Sequence, residues 1–173
     1  KNLLKVNGSP IVCMAGLCAK KVKEIDCVII STDSDEIAEV AKSCGIEAPF
    51  RRPKSISGDM TGDLEVLEHA LKEMEKLKGV VFDVVIMLQP TAPLRTTNQV
   101  AETIRKLIDE RFDAVWTVSP TETKYHPYKQ LKILDEKLDY CMPEGRKILP
   151  RQALEQVYHV NGIAYALTRS CII

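Results

Sequence analysis

Apolar residues along this chain follow two patterns that take turns. Ile11, Met14, Cys18 and Val22 recur at intervals of three and four, the spacing of one helix face. Ser9-Pro10 ahead of them predicts an N-cap and a first helical residue. DCVIIST (26–32) then runs without alternation, as a strand covered on both faces does. Ile37, Val40, Ala41 and Cys44 make a second helical face; Asp33 with Glu36 predicts its capping box, and Gly45 its end. After the short extended piece EAPF comes Arg51-Arg52-Pro53. Leu64, Leu67, Leu71 and Met74 mark a third helix, and FDVVIMLQ (82–89) a second buried strand. Thr96 and Gln99 repeat the capping-box spacing before Val100, Ile104, Leu107 and Ile108, and DAVWTVSP (113–120) is a third strand.

Strands and helices in alternation, with strands apolar throughout, predict an α/β fold whose mainly parallel sheet is covered by helices on both faces. Beyond Pro120 the pattern changes. YHPYKQLKILDEKLDYC holds two short runs around Asp135-Glu136, a hairpin signature, and NGIAY (161–165) returns as a strand. With no repeat or linker, the reading is one domain over 1–173 carrying an insertion at about 121–160.

The 45% of apolar residues suffices for a core in a chain of this length. Lys+Arg and Asp+Glu balance at 24 each, which removes the basic excess expected of a nucleic-acid binder. No apolar run approaches the ~20 residues of a membrane span, and no signal-peptide pattern opens the chain. Cys13, Cys18, Cys27, Cys44, Cys141 and Cys171 form no C-x-x-C pair, so they read as reduced structural thiols of a cytoplasmic protein.

Ligands of open α/β sheets sit beyond the carboxyl ends of strands, where Gln89 and Asp33 fall. No motif for a protein nucleophile, a metalloprotease or a P-loop is present. What remains is a set of polar residues beside Pro or Gly: Arg52 in RRP, Gln89 in LQPTAPLR, Lys129 in HPYK, Arg151 in PRQ and Asn161 before Gly162. Guanidinium pairs carboxylate or phosphate bidentately, while amides donate and accept. Arg95 and Thr91 read as braces of the turn.

KNLLKVNGSPIV, ISTDSDEIAEVAKSCGIEAPFRRPKSISGD, LQPTAPLRT, HPYK, PRQ and NGIAY occur in the order of the acylneuraminate cytidylyltransferases, and the chain resembles that family over nearly its whole length. The resemblance implies a Rossmann-like three-layer nucleotidyltransferase domain with a small dimerisation insertion. It implies that CTP and a nine-carbon 2-keto sugar acid give the CMP-sugar and pyrophosphate, with Mg²⁺ as cofactor and no metal ligand assigned within this chain. Lys1 and Asn2 match the family's Lys-Asn pair, catalytic and, for Asn2, nucleotide-binding; Arg52 matches a nucleotide-binding Arg. Gln89, Lys129, Arg151 and Asn161 match residues that hold the sugar acid, in part across a homodimer or a dimer of dimers. A phosphate loop ahead of Lys-Asn and a C-terminal pair of Mg²⁺-binding aspartates lie outside 1–173, so the resemblance implies a piece truncated at both ends. His159 stands where many members have Arg, and Gly62-Asp63 where hydroxyl residues are usual. The alternatives are activation of legionaminic or pseudaminic acid, or a non-catalytic nucleotide-binding relic.

Overall fold

The computed structural model describes residues 1–147 and 150–173. Its helices lie where the periodicity places them, and their ends show what the periodicity did not encode. Helix α1 (Ile11–Ala19) begins one residue later than predicted. Ser9-Pro10 is instead a short strand, β2, paired antiparallel with β1 (Lys5–Val6). Asn7 (φ 50°) and Gly8 (φ 80°) form the turn between them; two successive positive φ values suit an Asn-Gly hairpin. The hairpin keeps Pro10 extended at the N-cap. The first helical amides, of Ile11 and Val12, then donate to Leu4 O (2.9 Å) and Asn2 O (3.2 Å), so no side-chain cap is needed.

Helix α2 (Asp35–Ser43) is capped by Ser34, whose Oγ accepts from the Ile37 N–H at 3.3 Å. The predicted cap, Asp33, is one residue too early and is left to other partners. Helix α3 (Asp63–Lys78) ends at Gly79, which is left-handed at φ 67°. Helix α4 (Thr97–Asp109) starts with the predicted capping box, both halves formed between Thr96 and Gln99. A last turn, α5, spans Arg169–Ile172.

Strands β3 (Val84–Met87), β4 (Ala114–Pro120) and β7 (Tyr158–Thr168) form one sheet in the order β3-β7-β4. β7 is antiparallel to β3, with Val84 opposite Thr168 and Met87 opposite Tyr165. It is antiparallel to β4 as well: Thr168 N–H donates to Asp113 O, and Thr121 N–H to Val157 O. The mainly parallel sheet is therefore corrected: among the described residues, parallel pairing is limited to Ile29 opposite Glu47. An apolar run reports burial but not direction, and β7 returns between the two strands that precede it. Residues 26–32 are extended beside 47–52 through Ile30 N–H to Glu47 O (2.8 Å) and Arg52 N–H to Thr32 O (2.9 Å). They form no ladder, and 27–31 and 84–88 are half-buried rather than covered.

Period-two alternation sorts the strand residues into two layers. Ile86, Leu88 and Ala164 pack with Val22, Val100 and Ile104. Val85, Met87, Tyr165 and Leu167 pack with Leu67, Leu71 and Ile172 on the opposite face. The sheet is thus clothed on both sides, giving the α/β class expected.

The chain forms two compact units, Lys1–Thr117 with Gly162–Ile173, and Val118–Asn161. The second contains a hairpin of β5 (Leu131–Leu134) and β6 (Lys137–Tyr140), turning where the sequence predicts, at Asp135 (φ 48°) and Glu136 (φ 62°). Reduced cysteines are corrected in one pair: a disulfide joins Cys13 of α1 to Cys44 at the end of α2. Their 31-residue separation carries no motif, so only the packing of α1 on α2 reveals it. Among the described residues no helix is long and apolar enough to cross a membrane.

Candidate functional site

Gln89 lies two residues beyond β3, and the turn after it is locked from behind. Gln89 O accepts from the Ala92 N–H (3.1 Å) and from Arg95 Nη2. The same guanidinium donates to Gly162 O (3.1 Å) and, through Nε, to Ile163 O (2.9 Å). Arg95 is 7% exposed, and burial pushes its pKa down from the ordinary arginine value. It holds the LQPTAPLR turn against the NGIAY strand by three carbonyls, the bracing role its place in the motif suggests. Its Nη1 is buried without a partner.

Gly162 is what the two motifs meet on. Its φ is +72°, and a Cβ there would stand 2.7 Å from Gln89 Oε1. Its N–H donates to the Tyr165 hydroxyl at 2.9 Å. Glycine is required twice over, for its backbone and for the room it leaves the amide of Gln89. The sequence flagged both motifs but not this contact between them.

Asn2, Asp33, Arg52, Asp63 and Gln89 line one cavity of about 730 Å³. Asp33 and Gln89 follow the extended segments 26–32 and β3, so this polar stretch lies where strands end. Arg52 is oriented by Nε donation to Ser57 Oγ (3.1 Å) and by Asp33 Oδ1, 3.8 Å from Nη2. Its neighbour Arg51 is committed to Asp35 at 2.7 Å. The main chain of Asn2 is tied to the start of α1 through Val12. Lys1 is exposed, and its carbonyl accepts from Leu4.

The other predicted residues belong to the second unit. Lys129 ends the short turn Pro127–Lys129, which is capped by buried His126 through Nδ1 and the Tyr128 N–H (3.1 Å). Arg151 opens the turn Arg151–Ala153. Both side chains are exposed, and among the described residues neither has an ion-pair partner. Asn161 Nδ2 donates to Ser119 Oγ at 3.1 Å, and His159 Nδ1 lies 2.9 Å from Thr121 Oγ1. Among the described residues no group of three or more His, Cys, Asp or Glu is gathered to hold a metal.

This constellation has counterparts. The profile of a family described as "Cytidylyltransferase" matches residues 1–153. A CMP-N,N'-diacetyllegionaminic acid synthase of Campylobacter jejuni is 28% identical over 100% of this chain and 72% of its own length. A pseudaminic acid cytidylyltransferase of the same species is 26% identical over 95% of this chain and 70% of its own. Among solved structures, CMP:2-keto-3-deoxy-manno-octonic acid synthetase complexed with CTP superposes with a TM-score of 0.69. It covers 99% of this chain and 68% of that one at 15% identity, which shows a shared fold. With the profile matching from Lys1 to Ala153, the chain belongs to the cytidylyltransferase family.

Proposed function

We propose that this chain carries a CTP-dependent cytidylyltransferase site that activates a nine-carbon 2-keto sugar acid of the sialic type. The observation that carries the reading is the convergence of Asn2, Arg52 and Gln89 on one cavity at strand ends. In the reaction the anomeric hydroxyl of the sugar acid attacks the α-phosphorus of CTP in line. A new P–O bond forms, the bond to the β-phosphate oxygen breaks, and pyrophosphate leaves. The hydroxyl proton passes to solvent. No protein nucleophile is required, so the site's work is positioning and charge stabilisation.

Arg52 and Asn2 bind the nucleotide, and Lys1 offsets phosphate charge. The Gln89 amide, fixed from behind by Arg95 and Gly162, presents both a donor and an acceptor to the sugar acid. Lys129, Arg151 and Asn161 supply further contacts to it, the two cations suiting its carboxylate. Mg²⁺ would neutralise the triphosphate; Asp33 and Asp63 line the same cavity, the supply of one or two carboxylates that this ion takes beside phosphate oxygens. The exposed Leu131, Ile133 and Leu138 of the β5–β6 hairpin support its use in a homodimer or dimer of dimers, which a monomer by sedimentation at high protein concentration would exclude.

Activation of legionaminic or pseudaminic acid is the second reading, favoured by the names of the two bacterial relatives. Pyrophosphate release tests both. CTP, UTP, GTP and dTTP are offered in turn with Mg²⁺ and each of the three acids. Release with CTP alone, dependent on one acid, is expected and identifies it. Release with UTP or GTP in place of CTP would refute the nucleotide assignment, and binding of CTP without release under any pairing would leave only a nucleotide-binding protein.

A further inference from the structure

Two extended segments of the first unit contradict their own sequence. CVIIS (27–31) and VVIML (84–88) are apolar throughout, the composition of strands covered on both faces and paired on both edges, yet every one of these residues is only half-buried. β3 is the outer strand of its sheet, and residues 26–32 pair with 47–52 alone. Both line the same cavity. A long, flat, apolar edge is a template for another strand.

Backbone direction sharpens the case, because N–H and C=O of successive strand residues point to opposite edges. Asp83 O accepts from Arg169, so Asp83, Val85 and Met87 point towards β7, and Val84, Ile86 and Leu88 away from it. Ile30 and Thr32 are bonded to Glu47 and Arg52, so Cys27, Ile29 and Ser31 point the other way. No hydrogen bond is formed by the main chain of Cys27, Ile29 or Ser31 among the described residues. The Ser31 hydroxyl is likewise buried without a partner.

The cavity has the size of one strand. A residue in a sheet occupies a rise of ~3.3 Å, a spacing of ~4.8 Å and a layer of ~10 Å, or about 160 Å³. The cavity's volume of about 730 Å³ therefore holds between four and five residues, and each unpaired edge runs for five. A helix, ~10 Å across with its own groups internally bonded, would leave both edges unsatisfied. A second copy pairing edge to edge would satisfy only one.

We infer that the apolar stretch of this cavity is a slot for one β-strand: an extended apolar peptide segment of about five residues, hydrogen-bonded on one side to Cys27, Ile29 and Ser31 and on the other to Val84, Ile86 and Leu88. The strand completes the sheet between segment 26–32 and β3, and leaves the polar stretch at Asn2, Arg52 and Gln89 for a small ligand. The inference does not rest on the cytidylyl-transfer reading.

The probe is a small panel of five-residue Val/Ile peptides with lysines at both ends for solubility, added to the protein. Affinity is measured by calorimetry, and amide exchange is followed residue by residue. Binding with slowed exchange at the six named residues is expected. A peptide N-methylated at alternate residues keeps its apolar surface but loses donors to one edge, and its affinity falls by about ten-fold or more. Equal binding of both peptides would make the slot an apolar ligand site and overturn the inference. So would no binding up to about 1 mM, or protection of these amides that follows protein concentration without peptide.

Discussion

Gly162→Ala is the substitution on which the geometry of Gln89 can be judged. Alanine at φ +72° costs about 1–2 kcal/mol, because its Cβ crowds the following carbonyl. The new methyl would lie 2.7 Å from Gln89 Oε1, but 3.5 Å from Gln89 Cβ and Cδ, which is ordinary contact. Only the end of a flexible side chain is in the way. The amide therefore swings aside at a rotamer cost of about 1 kcal/mol, and the total loss of stability is about 2–3 kcal/mol. The function proposed for Gln89 makes the second effect larger: with the amide displaced, KM for the sugar acid rises about ten-fold or more while KM for CTP holds. The assay is pyrophosphate release in a double-mutant cycle with Gln89→Ala. If the methyl acts by displacing the amide, the double variant has the sugar-acid KM of Gln89→Ala alone. Effects on KM that multiply would show that Gly162 acts through some other group, and would refute the reasoning.

Arg95→Lys keeps the charge but strips bonds from Gly162 O and Ile163 O, which three donors on one short ammonium cannot all reach; urea titration should show a loss of about 2–4 kcal/mol, and a loss under about 0.5 kcal/mol would reduce the brace to a spectator. Reduction of the Cys13–Cys44 disulfide, or Cys44→Ser, opens a loop of 31 residues and should cost about 3–4 kcal/mol on the chain-entropy account; identical melting with and without dithiothreitol would argue against the bond. Arg169 donates to both oxygens of Glu75 at 2.8 and 3.2 Å, and this holds the carboxyl below its usual range. Its stabilising effect is therefore complete above the unfolded carboxylate value and lost as pH falls through the lower folded one. Glu75→Gln should flatten that acid limb of stability, and an unchanged pH profile would exclude the pair as its source.

The sequence showed the molecule's elements more clearly than their partners. α4 was legible because its capping box is a contact between residues three apart, and the β5–β6 turn because two short apolar runs flank Asp135-Glu136. The Asn7-Gly8 hairpin was equally local and was overlooked in favour of Ser9-Pro10 as a helix start. Strand direction was not legible at all, since the same apolar run serves a parallel and an antiparallel neighbour. Gln89 and Gly162 were each singled out by their motifs, yet their contact depends on β7 returning between β3 and β4. Cys13 and Cys44 give the same lesson: separation along the chain hides a bond that two packed helices make simple.

The route between the two units has a consequence for how such a protein diversifies. The chain leaves the first unit along β4 and re-enters it along β7, and these strands are neighbours in one sheet. At the crossing, Thr117 Oγ1 and Ala164 are bonded in both directions at 3.0 Å, so the sheet is closed before the second unit begins. Val118–Asn161 is thus an elaborate loop on a hairpin. Lineages can lengthen, trim or exchange it as a cassette, altering the surface that carries Lys129 and Arg151 while the layers beneath Gln89 and Arg52 keep their packing.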